Sequence, residues 1–208
     1  MPVYLDGLLL GLSLIVALGP QNLFLIKQGA RKNHALLSAG ICFICDFILM
    51  SASITGLHQL LLTHHMFQIG MMLLGCLFLA YYAIKALKNA ILKSIPTTAI
   101  FDETYSRTQI IILALGFSLL NPHAIIDTLV IIGGGSSEYP EQEFTFLLGV
   151  ITSSLIWFSS LIFTAIYFSH ILTKATIWKG IELFSGILML SIAIKLGADG
   201  IQLLLSLN

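Results

Sequence analysis

The chain has 208 residues, of which 57% are hydrophobic and 10% charged, with ten lysines and arginines balancing ten aspartates and glutamates. Its mean hydropathy is +0.96. Soluble globular domains carry roughly a quarter charged residues, so this composition excludes one and points to an integral membrane protein.

Six apolar runs, near residues 4–26, 35–57, 66–87, 109–132, 144–168 and 180–206, each approach the roughly 20 residues a helix needs to cross a bilayer. They are continuously apolar, without the alternation of barrel strands. The expected fold is an all-α membrane protein of about six transmembrane helices.

The first run has no basic residue before Lys27, so it lacks the charged start of a cleavable signal and is expected to be a retained span. Gly7 and Gly11 give it a face for close helix contact, within the protomer or in a homodimer. Its middle is interrupted by Gly19-Pro20-Gln21-Asn22, a helix breaker and a proline that removes an intrahelical hydrogen bond, followed by two amides. The second run contains Asp46. An aspartate at a helix centre costs roughly 2.5 to 3.5 kcal/mol on insertion scales, so such acids face a polar interior, pair with a cation or carry ions. Cys42 and Cys45 have redox-motif spacing but sit in an apolar span, and with Cys76 they are expected as buried small side chains.

His58, His64 and His65 follow in the second loop and are expected to form a solvated turn rather than a metal site. After the third run, a polar stretch of about residues 88–108 holds Pro96, Thr97-Thr98 and Asp102-Glu103. It is too short for a core of its own and suits a cytoplasmic linker between halves of about 1–87 and 109–208. The fourth run breaks at Asn121-Pro122-His123 and carries Asp127 about a turn and a half beyond. Gly133-Gly134-Gly135-Ser136-Ser137 reads as a flexible external link. In the sixth run Lys195 and Asp199 are one helical turn apart, where they form either a self-neutralising pair or an internal cation for another aspartate.

Nine of the ten cations, Lys27, Arg31, Lys32, Lys85, Lys88, Lys93, Arg107, Lys174 and Lys179, fall in or beside alternate loops. Cytoplasmic loops retain lysine and arginine, so both termini are expected outside. Two three-helix halves joined by a cytoplasmic linker enter the membrane in opposite directions, as inverted repeats do. Internal similarity is slender: Ala83-Ile84-Lys85 against Ala193-Ile194-Lys195, and a Gly-x-Ser-Leu before each proline. The breaks speak more clearly. Freed backbone carbonyls are tolerated where protein or a water-filled cavity surrounds them, and paired breaks in corresponding helices mark a central site.

Gly19-Pro20-Gln21-Asn22, Gln28-Gly29-x-Arg31, Asp46 and Asn121-Pro122-His123-x-x-x-Asp127-Thr128 together resemble the LysE/ArgO family of bacterial basic amino-acid exporters. The resemblance covers nearly the whole chain, and the wider superfamily of threonine, homoserine and leucine exporters generally lacks the second aspartate. It implies a multi-pass protein of the bacterial inner membrane that exports L-lysine, L-arginine or both, driven by the electrochemical gradient. The chain departs from the family in having Ile125 and Ile126 where an aromatic residue is usual.

The residues fit such a cargo on their own chemistry. A basic amino acid needs fixed anions for its cations and donors for its carboxylate. Asp46 and Asp127 supply the first, as cation sites or as one cation and one proton site. Gln21, Asn22 and Asn121, with the helix amino ends made by the breaks, supply the second. His123 is either a proton relay or a hydrogen-bonded cap. The expected partners are L-lysine, L-arginine, protons and the bilayer, with no nucleic acid, cofactor or metal. Neutral amino acids of the threonine or homoserine type are the alternative cargo. An ion channel and an intramembrane aspartyl protease are the other classes, and the second lacks its glycine-flanked aspartate motifs.

Overall fold

Hydrocarbon offers no water to backbone N–H and C=O groups, so a spanning chain must satisfy them internally. The computed structural model describes residues 2–16, 19–54, 65–92, 105–120 and 122–206, apart from the side chains of 65, 67, 92, 122–124, 126 and 127; these residues are helical throughout, with short turns and no strand. The described helices are α1 (Val3–Ile15), α2 (Pro20–Arg31), α3 (Ala35–Ser53), α4 (His65–Leu92), α5 (Arg107–Leu119), α6 (Pro122–Ser137), α7 (Glu143–Tyr167), α8 (Ser169–Leu172) and α9 (Ala175–Ser206). Stretches of α3, α4, α7 and α9 are long and apolar enough to cross a membrane, and α1 with α2, bent by 80°, makes a fifth candidate.

Both expected breaks are present between helices. Gly19 is extended, with φ −110° and ψ −180°, and Pro20 opens α2. Proline is favoured there because the first helical N–H has no intrahelical partner and φ is already set. Pro122 opens α6 in the same way. Each helix before a break, α1 and α5, has 13 residues. The α2–α3 turn needs left-handed backbone at two non-glycine residues, Lys32 (φ 55°) and His34 (φ 49°). Ser106 and Gln109 form a reciprocal capping box at the start of α5, satisfying backbone donors that would otherwise be orphaned.

The Gly133–Ser137 stretch is the last turn and more of α6, not a flexible link. Glycine lowers helix propensity by about 1 kcal/mol, but an unpaired peptide in hydrocarbon costs several. Ser136 Oγ and Ser137 Oγ also donate to the carbonyls of Gly133 and Gly134, at 3.0 and 2.6 Å. His58, His64, Pro96, Thr97, Thr98, Asp102 and Glu103 lie outside the described residues, as does the side chain of His65.

Glycines set the helix pairings. A Cβ on Gly7 would meet the Phe146 carbonyl, one on Gly11 would meet Ser153 and Val150, and one on Gly149 would meet Tyr4. Residue numbers rise together, so α1 runs parallel to α7. The contact continues along α2, where Gly29 abuts Ala165 and Ile162, so the broken pair follows α7 along its length. The Gly7/Gly11 face is therefore used inside the protomer. Against α4, Gly186 meets Leu87, Gly197 meets Cys76 and Gly200 meets Met72, so α9 is antiparallel to α4. A central core of Phe24, Leu25, Leu79, Phe117, Phe158, Met189 and Leu196 joins these elements. Leu77, Tyr81, Ile84, Ile187 and Ile194 are exposed on the outer faces, which suits contact with lipid. Cys42 and Cys45 are buried free thiols.

The ends of the bundle differ in charge. Lys27 and Arg31 of α2, Lys85 of α4, Tyr105 before α5 and Glu182 of α9 meet at one end. At the other, Tyr139 Oη between α6 and α7 donates to Asp6 of α1 at 3.1 Å.

Candidate functional site

A cavity of about 440 Å³ opens where the first break faces α3, α5 and α6, within the roughly 300–1,000 Å³ typical of small-molecule sites. Asp46, Gln21, Asn22 and Ser118 line it, and Leu49, Met50, Ile125 and Ile132 form apolar wall. Asp46 is half-buried on α3. It accepts from Gln21 Nε2 at 3.4 Å and from Ser154 Oγ at 3.3 Å. Both distances are long for such bonds, and an ionised carboxylate has about four acceptor sites, so the group keeps capacity for a further donor. No described lysine or arginine forms an ion pair with it.

The break itself positions the amides. Because Pro20 starts α2, Gln21 and Asn22 project from a helix amino end, where N–H groups and the helix dipole favour anions. Gln21 Nε2 also donates to Ser118 Oγ at 3.2 Å, tying the first break to the last turn of α5. Asn22 is buried and spans the break: its Nδ2 donates to the Ile15 carbonyl at 2.9 Å, and its Oδ1 accepts from Trp157 Nε1 at 3.3 Å. Gly19 has open space around its α-carbon, so it is not there to avoid a clash.

Of the residues singled out in the sequence, Gln21, Asn22, Asp46, Gly19 and Pro20 come together at this cavity. Asn121 lies outside the described residues, and so do the side chains of Pro122, His123 and Asp127, all three carried on α6. Ile125, Thr128 and Ile132 bring α6 to the cavity. Lys195 is exposed and Asp199 half-buried on α9; neither lines the cavity, to which α9 contributes Ile192.

Sequence reading missed Ser118, Ser154 and Trp157. It also missed Glu182, an acid inside the sixth apolar run. Lys27 Nζ lies 3.0 Å from Glu182 Oε2, with side chains 14% and 4% exposed. Arg31 stacks over Trp178 and Tyr105, 5.0 and 5.8 Å from the ring centroids.

Residues 12–200 match the family described as LysE type translocator. The chain belongs to that family. Among its relatives, the arginine exporter protein ArgO of Pectobacterium atrosepticum is 35% identical over 201 residues, 96% of this chain and 98% of that protein. The ArgO proteins of Pectobacterium carotovorum subsp. carotovorum and Salmonella schwarzengrund are each 33% identical, over 96% and 95% of this chain and 98% and 94% of theirs. No solved structure matches. As a LysE type translocator with several apolar helices, the chain is a multi-pass membrane transporter and not an enzyme.

Proposed function

We propose that this protein is a secondary active exporter of basic amino acids, L-arginine and L-lysine, across the bacterial inner membrane, coupled to the proton gradient through Asp46 and Asp127. The observation that carries the reading is a carboxylate with spare acceptor capacity beside a cavity at a helix break, facing amide donors. Asp46 takes a substrate cation, and Gln21 and Asn22, with Asn121 of the second break, take the carboxylate. Relatives of nearly equal length are named arginine exporters. A proton arriving from outside neutralises an aspartate and releases the cation; its loss to the cytoplasm restores the site. Asp127 and His123 are assigned to this proton and cation path, and Lys195 with Asp199, one helical turn apart on α9, to a pair outside the cavity.

Six spans in two inverted halves complete the proposal, with α1–α2 and α5–α6 as the broken first and fourth. Exchanging the halves turns the contact of α1–α2 with α7 into that of α5–α6 with α3, and both contacts exist. The α4–α9 and α3–α7 contacts map onto themselves. The basic end is assigned to the cytoplasm and both termini to the outside, by the retention of cations in cytoplasmic loops. A homodimer remains an expectation without the Gly7/Gly11 face.

The test is efflux from cells lacking their own exporters and loaded with arginine, lysine and threonine. Arginine or lysine loss that collapses with a protonophore is the expected result, and exclusive threonine loss overturns it in favour of the neutral-cargo reading. Asp46→Asn and Asp127→Asn, compared at equal abundance, should each abolish basic amino-acid efflux; undiminished efflux removes that residue from the scheme.

A further inference from the structure

Towards the basic end lies a second cavity of about 60 Å³, bordered by Lys27, Gln28, Tyr82, Lys85 and Glu182. It has room for a few waters but is far smaller than the roughly 300 Å³ at which small-molecule sites begin. Phe117 borders both this cavity and the central one. Its ring contacts Phe24, Phe78 and Tyr82 with centroids 5.1, 5.0 and 5.3 Å away, so an aromatic cluster stands between the two spaces.

Two features show that the small cavity is built around charge. The Lys27–Glu182 pair is almost wholly removed from water, and burial of such a pair commonly sacrifices more solvation than attraction returns. Fold stability is therefore a weak reason for it to exist. Gln28 is 2% exposed, and its Oε1 has no hydrogen-bond partner, an arrangement that is unfavourable until a donor arrives.

We infer that this cavity is a docking site for the main-chain ammonium and carboxylate of an amino acid moving towards the central cavity, and that the Lys27–Glu182 contact is its closed form. The inference rests on the exporter reading and orientation proposed above. An α-amino acid is a zwitterion. Its carboxylate takes the place of Glu182 beside Lys27, and its ammonium takes the place of Lys27 beside Glu182 while donating to Gln28 Oε1. One ion pair becomes two, so neither Lys27 nor Glu182 is left without an opposite charge. Because Lys27 is on α2 and Glu182 on α9, the exchange also unties the half-helix that carries Gln21 and Asn22. The cationic side chain stays unclaimed, available to Asp46 beyond Phe117. Tyr105 holds the wall in place, accepting a hydrogen bond from Lys85 Nζ at 3.0 Å with Arg31 over its ring.

The test uses the full chain in inverted membrane vesicles, cytoplasmic face outward, with labelled arginine competed by agmatine, which is arginine without its carboxylate. Wild-type protein should prefer arginine by at least about tenfold, equivalent to about 1.4 kcal/mol. Lys27→Met should erase the part of that preference set at docking, several-fold or more, because the carboxylate loses its first partner while Gln21 and Asn22 still await it centrally. Glu182→Gln should raise the half-saturating arginine concentration and the inhibitory agmatine concentration together, by about tenfold, because both carry the ammonium. Should a single variant fail to reach the membrane, Lys27→Gln combined with Glu182→Gln leaves no uncompensated charge and must likewise lose that part of the preference. A preference unchanged from wild type in these variants overturns the docking site while leaving the exporter reading intact. Wild-type vesicles that take up no arginine overturn both.

Discussion

Asn22 illustrates how a residue chosen for one role performs two. Its amide closes the gap left by the break, reaching the Ile15 carbonyl on one side and the Trp157 indole on the other, while it lines the cavity. Asn22→Leu should therefore strand a carbonyl and an indole N–H. An unsatisfied buried group costs about 1–3 kcal/mol, so the variant should melt earlier in detergent, read by thermal unfolding. Gln21→Leu has a different signature. It removes the amide proposed to hold the substrate carboxylate, and a hydrogen bond worth about 0.5–1.5 kcal/mol corresponds to an apparent arginine affinity weaker by roughly three- to tenfold, as measured by concentration-dependent transport. Asp46 and both amides were legible in sequence because each violates the apolar pattern around it. Ser118 and Ser154 were not, since a serine can satisfy its hydroxyl on its own helix, as Ser53 does on Met50, and nothing in its neighbours tells the two cases apart.

Among the elements, the parallel seam of α1 against α7 depends on backbones that nearly touch. Gly149→Leu places a side chain against the Tyr4 carbonyl and the Leu8 amide, where neither can retreat, and overpacking costs about 1–3 kcal/mol. The expected outcome is a lower yield of folded protein and a reduced melting temperature; Gly19→Ala, in open space, is the control that should retain both. Helix existence was plain from apolar length. Ends were less so: α9 begins at Ala175 and α4 runs to Leu92, each about five residues beyond its apolar run. Polar residues at a bilayer surface continue a helix as readily as they end one. The glycine run after Asp127 misled for a related reason, since propensities measured in water understate how strongly hydrocarbon enforces the helix.

Among the described residues the loop charges sort by end, and the proposed orientation gives a direct expectation. A cysteine at Lys32 in a cysteine-free background should react with a membrane-impermeant thiol reagent only from the cytoplasmic side, and one at Glu138 only from outside; the reverse pattern would invert the topology. Composition, apolar length and two proline breaks determine by themselves that the chain is a helical membrane protein with an interrupted first span, because hydrophobicity and backbone hydrogen bonding act along the chain. The family residues were legible for the same reason. Tertiary structure alone decided that Gln21 and Ser154 converge on Asp46, that Gly7 and Gly11 serve α7 within the protomer, and that Lys27 meets Glu182 across 155 positions. Such meetings depend on the rotation and register of packed helices, which are set by side chains far apart in sequence fitting against one another.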